Sequence, residues 1–154
     1  MSIDQRLSEL NLTLPEAAAP VAAYVPTVLA GGLLHVSGQL PFREDGGLIL
    51  GRLGEGVGLE EGQEAARRCA LMLLAQVRAA LGSLDRVERI VKLGVFVASD
   101  PGFTAQPQVA NGASELMQRV FGDAGRHARS AVGVAVLPLG AVVEVDAIVA
   151  IRAA

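Results

Sequence analysis

Apolar residues recur at a helical spacing along 59–81. Ala66, Ala70, Leu73, Leu74, Val77 and Leu81 fall on one stripe, with Glu64, Arg67, Arg68, Gln76 and Arg78 mostly off it. The pattern predicts a long amphipathic helix closed by Gly82 just past its end. A second helical pattern covers 107–121, where Val109, Leu116, Val120 and Phe121 make the buried side and Gly122 follows. Around these lie extended segments at 24–29 and 33–39. Gly31-Gly32 separates them, a pair suited to a two-residue hairpin turn because positive φ costs glycine little. Segment 87–98 is rich in Val and Ile and is broken by Asp100-Pro101-Gly102. Segments 130–137 and 142–151 are joined by Pro138-Leu139-Gly140, which reads as a hairpin-like turn. Residues 2–11 read as one or two helical turns with Ile3, Leu7 and Leu10 on one face. Segment 43–58, punctuated by six glycines, reads as a long irregular loop with a short strand at 48–50.

The predicted order is ββ(β)αβαββ. Helices interrupt the strands only twice, so the economical architecture is α+β: a mixed β-sheet with two helices packed on one face. No repeat, linker or low-complexity stretch divides the chain, which reads as one domain over 1–154. The strand faces carry a further message. In 142–151, Val143, Val145, Ala147, Val149 and Ile151 form one apolar set, opposed by Val142, Glu144, Asp146, Ile148 and Ala150. In 130–137 both faces are largely apolar. Two helices cover one face of such a sheet, so the other calls for a second subunit.

Composition sharpens this picture. Of 154 residues, 51% are hydrophobic and only 19% charged, which excludes disorder, while 3% are aromatic, so the apolar surplus is made of small side chains. A net charge of −3 and the few aromatics argue against a nucleic-acid partner held by a basic or stacking surface. Cys69, the one cysteine, makes no internal disulfide, and two histidines without a second thiol make no zinc set. The first residues carry charges of both signs, and no apolar run approaches the roughly 20 residues of a membrane span. The expectation is a soluble cytoplasmic protein with no membrane partner.

Phosphate-loop, nucleophile-elbow and zinc-protease motifs are absent, and the glycines at 54–58 follow no long strand and precede no lysine. The densest polar cluster is Gly125-Arg126-His127-Ala128-Arg129-Ser130, at the entry to an apolar strand. A planar, permanently charged guanidinium there suits a carboxylate ligand. Glu144, set among valines, is a carboxylate either paired or pushed toward its protonated form, and both suit proton transfer. An Arg129–Glu144 ion pair locking a hairpin, or two solvent-facing charges, reads the same pattern without function. His127 is a general base or a loop residue bonded to backbone, and His35, between Leu34 and Val36, reads as structural. Cys69, beside a helix stripe, reads as a buried inert thiol. Ser37 and Gly38 end a strand where glycine permits close approach of a ligand, and Tyr24 either supplies a hydroxyl or packs. Asn111 and Ser114, three apart, share a helix face that points into a cleft or into solvent.

Three of these segments carry a resemblance. Val36-Ser37-Gly38-Gln39-Leu40-Pro41, the strand Ile90-Val91-Lys92-Leu93-Gly94-Val95-Phe96-Val97, and Ala128-Arg129-Ser130-Ala131-Val132 followed by Leu137-Pro138 and Val143-Glu144-Val145-Asp146-Ala147 resemble the signatures of the RidA/YjgF/UK114 family. They are most similar to its YjgF/chorismate-mutase-like branch, also called endoribonuclease L-PSP. Order and spacing agree from about residue 20 to 152, leaving 1–19 as an N-terminal extension. The resemblance implies a chorismate-mutase-like fold and a homotrimeric barrel with ligand sites between subunits. It also implies a cofactor-free, metal-free hydrolase of the 2-iminobutanoate/2-iminopropanoate deaminase type, with a small carboxylate as ligand. In that reading Arg129 clamps the carboxylate and Glu144 positions water. Tyr24, Ser37, Gly38, Asn111, Ser114, His127 and Ala131 line the pocket. Ala131 stands where deaminating members often have cysteine, and Gly125-Arg126-His127-Ala128 replaces a more apolar approach. A non-catalytic metabolite-binding module and an endoribonuclease are the alternatives.

Overall fold

A computed structural model describes residues 1–20 and 22–154. The long stripe folds as helix α2, Leu59–Leu81, and stops where Gly82 turns left-handed at φ 81° and returns its N–H to the Arg78 carbonyl. Its burial exceeds the stripe. Arg68 donates from Nε to the Phe42 carbonyl at 2.7 Å, and Gln76 donates from Nε2 to the Ala18 carbonyl at 2.7 Å. Segments flanking the strands therefore cover sides of the helix that its polar residues had assigned to solvent.

Strands β1 (Thr27–Ala30) and β2 (Leu33–Gln39) form the expected hairpin, with Gly31 and Gly32 at φ 58° and 76°. The loop that follows contains a two-residue parallel pair, β3 (Arg52–Leu53) and β4 (Gly56–Val57). The strand expected at 48–50 is absent: Leu48 and Leu50 make only isolated bridges, to Phe42 and Ala141. Strand β5 (Val87–Ala98), helix α3 (Gln106–Phe121), strand β6 (Ala128–Val134) and strand β7 (Val143–Ile151) complete the chain. A third helix, α1 (Ile3–Glu9), begins in a capping box between Ser2 and Gln5. It packs on α3, where Arg6 Nε donates to the Arg119 carbonyl at 2.9 Å.

The sheet order is β1-β2-β7-β5-β6, antiparallel except for the parallel β5–β6 pair. This corrects the hairpin expected between the last two strands. The α3 crossover lays β6 parallel to β5 on one edge, and β7 then returns antiparallel along the other edge of β5. The connection is a 3-10 turn, Pro138–Gly140, with Leu139 at φ 60°. Helices α2 and α3 cover one face, over Leu34, Ile90, Val95, Val145 and Val149, all at most 2% exposed. The opposite face is open. Val28, Phe96, Val132 and Ile148 lie there with Lys92, Asp146 and His35 around a concavity of about 640 Å³. His35, expected to be structural, is exposed because the β2 pleat turns it away from the helices. Among the described residues no helix is long and apolar enough to cross a membrane.

Candidate functional site

Strand β6 is a sheet edge, and its pleat sends Arg129, paired with Leu93, toward the helix side. Helix α3 runs past it and supplies three acceptors. Arg129 donates from Nη1 to Asn111 Oδ1 at 2.9 Å and to Ser114 Oγ at 3.1 Å, and from Nη2 to the Pro107 carbonyl at 3.3 Å. Pro107, Asn111 and Ser114 follow the helical repeat, so one face of α3 presents all three. Among the described residues no carboxylate lies within 4.0 Å of this guanidinium. Nε and the second Nη2 N–H are left uncommitted.

Ser114, 7% exposed, also meets His127, with Oγ 2.8 Å from Nε2. Nδ1 of the same ring lies 2.6 Å from the Gly125 carbonyl. A carbonyl only accepts, so Nδ1 carries the proton and Nε2 is the acceptor of the serine hydroxyl. Burial holds His127 below the ordinary histidine value, the Gly125 bond opposes this and Arg129 adds to it, and the net shift favours the neutral ring. Both ring nitrogens are occupied. Ala131, two residues beyond Arg129 on the same face, is half-buried opposite Val95.

Glu144 belongs to a second cluster. It pairs with Phe96 on the open face, and its carboxyl lies over Gly38, at the bulge where β2 slips between Val36 and Gln39. Burial first, then Asp146 two residues along, pushes the Glu144 carboxyl above its ordinary value. Asp146 is raised by burial as well, against the pull of the Gly94 N–H and Lys92. Ser37 ties the approach to β1 by donating from Oγ to the Val25 carbonyl at 2.9 Å. Tyr24, half-exposed, lines a cavity of about 80 Å³ with Gly38, Leu40 and Leu139.

The structure thus brings Arg129, Asn111, Ser114, His127 and Ala131 together, and Tyr24, Ser37, Gly38 and Glu144 together, but keeps the groups apart within one chain. The Arg129–Glu144 ion pair considered above does not form. Strand β5 lies between β6 and β7, and the two side chains leave opposite faces of the sheet. Sequence reasoning missed the Pro107 and Gly125 carbonyls, which carry no side-chain signal. It also left Asp146 without a part, although its i+2 spacing from Glu144 places both on one face. Cys69 is fully buried and burial pushes its thiol up, as expected of an inert residue.

Comparisons with known proteins bear on the family and the fold. The family described as "YjgF/chorismate mutase-like, putative endoribonuclease" matches residues 4–150. Protein TCP17 of Trypanosoma cruzi is 59% identical over 144 residues, covering 93% of this chain and 90% of that protein. Among solved structures, Atu1372 of Agrobacterium tumefaciens is 50% identical with a TM-score of 0.89, over 98% of this chain and 94% of that one. TdcF of E. coli, solved with bound serine, is 26% identical with a TM-score of 0.65, over 90% and 94% of the two chains.

Proposed function

The chain belongs to the YjgF/RidA family, and from that premise we propose that it hydrolyses small carboxylate-bearing imines and enamines in clefts between copies of itself. The observation that carries this reading is the state of Arg129: three acceptors on α3 hold the guanidinium, among the described residues no carboxylate lies within 4.0 Å of it, and Nε and one Nη2 N–H make no bond. Such an edge matches one carboxylate in two parallel N–H···O bonds. Serine, bound by the similar TdcF, is a small molecule with a carboxylate of this kind.

Arg129 and Glu144 leave opposite faces of the sheet, so a site that uses both takes them from two copies, in keeping with a homotrimer whose barrel covers the open apolar face. The β6–α3 cluster of one copy then faces the Tyr24, Ser37, Gly38 and Glu144 cluster of the next. Arg129 anchors the substrate carboxylate. Glu144 accepts a proton from water as the water oxygen adds to the imine carbon, and passes a proton to nitrogen. The carbinolamine collapses with loss of ammonia and leaves a 2-oxo acid. A carboxyl raised above its ordinary value is a stronger base for this exchange than an ordinary carboxylate.

The reading is tested by release of 2-oxo acid from enzymatically generated 2-aminoacrylate. Acceleration lost in Arg129→Ala is expected, and a rate equal to buffer overturns it. Arg129-dependent binding of pyruvate without turnover would make the same cleft a metabolite sensor. RNA cleavage that survives extensive purification and is lost in Arg129→Ala would reassign the cleft to the chemistry in the family's description.

A further inference from the structure

We infer that His127 is a positioning residue for Arg129, acting through Ser114 and never touching the substrate. The inference rests on the reading of Arg129 as a carboxylate anchor and adds to it the device that aims the anchor. His127 and Arg129 are two apart in the approach to and along β6, and both reach the same α3 serine, at 2.8 Å and 3.1 Å.

The proton count fixes the direction of the chain. The Gly125 carbonyl takes the Nδ1 proton at 2.6 Å, which leaves Nε2 as a lone pair. Ser114 has one hydroxyl proton, and the imidazole takes it. A serine inside a helix has a competing choice, donation to the carbonyl one turn back. Occupying that proton at Nε2 removes the choice and turns a serine lone pair toward Arg129 Nη1. With Asn111 on the other Nη1 proton, Nη1 is saturated. The only N–H groups left for a ligand are on Nε and Nη2, which share one edge of the guanidinium. The start of the relay is itself fixed, because a Cβ at Gly125 would stand 2.1 Å from the Met117 carbonyl oxygen, so the backbone there packs directly on the end of α3. Ser114 is nearly buried and both nitrogens of His127 are engaged, so neither presents a free group to substrate.

The test uses the full chain with His127→Leu, His127→Gln, Ser114→Ala and the double variant His127→Leu/Ser114→Ala, each checked for native circular dichroism. KM for 2-aminoacrylate and Kd for pyruvate are expected to rise about tenfold in His127→Leu, the size of one lost charge-assisted bond, with kcat within about twofold. Ser114→Ala should match it, and the double variant should be no worse than either single change, since the two act in series. His127→Gln, which keeps an acceptor at the ε position, should recover part of the loss. A fall in kcat at unchanged KM, additive losses, or covalent capture of Ser114 by a fluorophosphonate would overturn the inference, the last by making His127 the base of a nucleophile. Nitrogen-15 spectra of the unliganded protein separate its failure from that of the function. Protected Arg129 side-chain N–H signals that average out in His127→Leu support positioning even if no ligand binds, and identical signals in both proteins overturn it.

Discussion

Gly38 lies directly beneath the Glu144 carboxyl: a Cβ built at Gly38 would stand 2.8 Å from both its carboxyl carbon and Oε1. The obstacle is the far end of a flexible side chain, so Gly38→Ala should move the carboxylate and leave the sheet intact. The expected outcome is a fall of about tenfold in kcat/KM for 2-aminoacrylate, equivalent to about 1.4 kcal/mol of transition-state stabilisation. The melting temperature should stay within about 3 °C of the parent, the shift that roughly 1 kcal/mol produces in a chain of this size. Steady-state kinetics and a thermal melt read the two effects separately.

Glu144 and Asp146 are both raised, chiefly by burial. The folded chain therefore holds their protons more tightly than the unfolded chain. Their contribution to stability is full below the ordinary carboxylate range and is lost as pH rises through the folded values. His127 has the opposite sign: lowered by burial, it makes the folded state lose stability as pH falls through the ordinary histidine value. Urea midpoints for Glu144→Gln should rise relative to the parent as pH climbs above the ordinary carboxylate range and converge with it below that range. A variant less stable than the parent at pH 7 would contradict the assignment of burial as the dominant cause.

Gly112 is where α3 crosses α2. A Cβ there would meet the Gln63 backbone oxygen at 2.0 Å, a contact that no side-chain rotation relieves. Gly112→Ala gains helix propensity but forces the helices apart. It should cost about 1–3 kcal/mol, the range for overpacking a close contact, read as a lower urea midpoint at constant m-value.

Val132, 46% exposed, and Val28, 52% exposed, sit on the open face of the sheet. If copies of the chain cover that face, Val132→Arg places a charge in the covered layer. Light scattering should then report a mass below that of three chains, with far-UV circular dichroism unchanged. A parent that is monomeric at micromolar concentration would remove the basis for a site shared between copies.

Much of the architecture was legible locally. The bounds of α2, β2 and β5, and the Gly31-Gly32 turn, follow from periodicity and from residues whose φ preferences act within a few positions. Segments 24–29 and 130–137 differ from β1 and β6 by one to three residues at their ends, because strand ends are set where a neighbour stops bonding. The last ladder bond beyond β6 runs from Ser99 N–H to the Val134 carbonyl, so the apolar residues that follow leave the sheet.

The sequence by itself determined which residues could carry chemistry: a guanidinium at a strand entry, a carboxyl among valines, a serine and an asparagine on one helix face. Tertiary structure alone decided their grouping. Which strand lies beside which is a non-local choice, and inserting β7 on the far side of β5 separates Arg129 from Glu144 although the two are only fifteen positions apart in the chain. Which face each side chain takes depends on register, since a one-residue slip exchanges the two faces. The aim of Arg129 depends on a proton held between His127 and Ser114, and on two backbone carbonyls that every residue possesses and no side-chain pattern reveals.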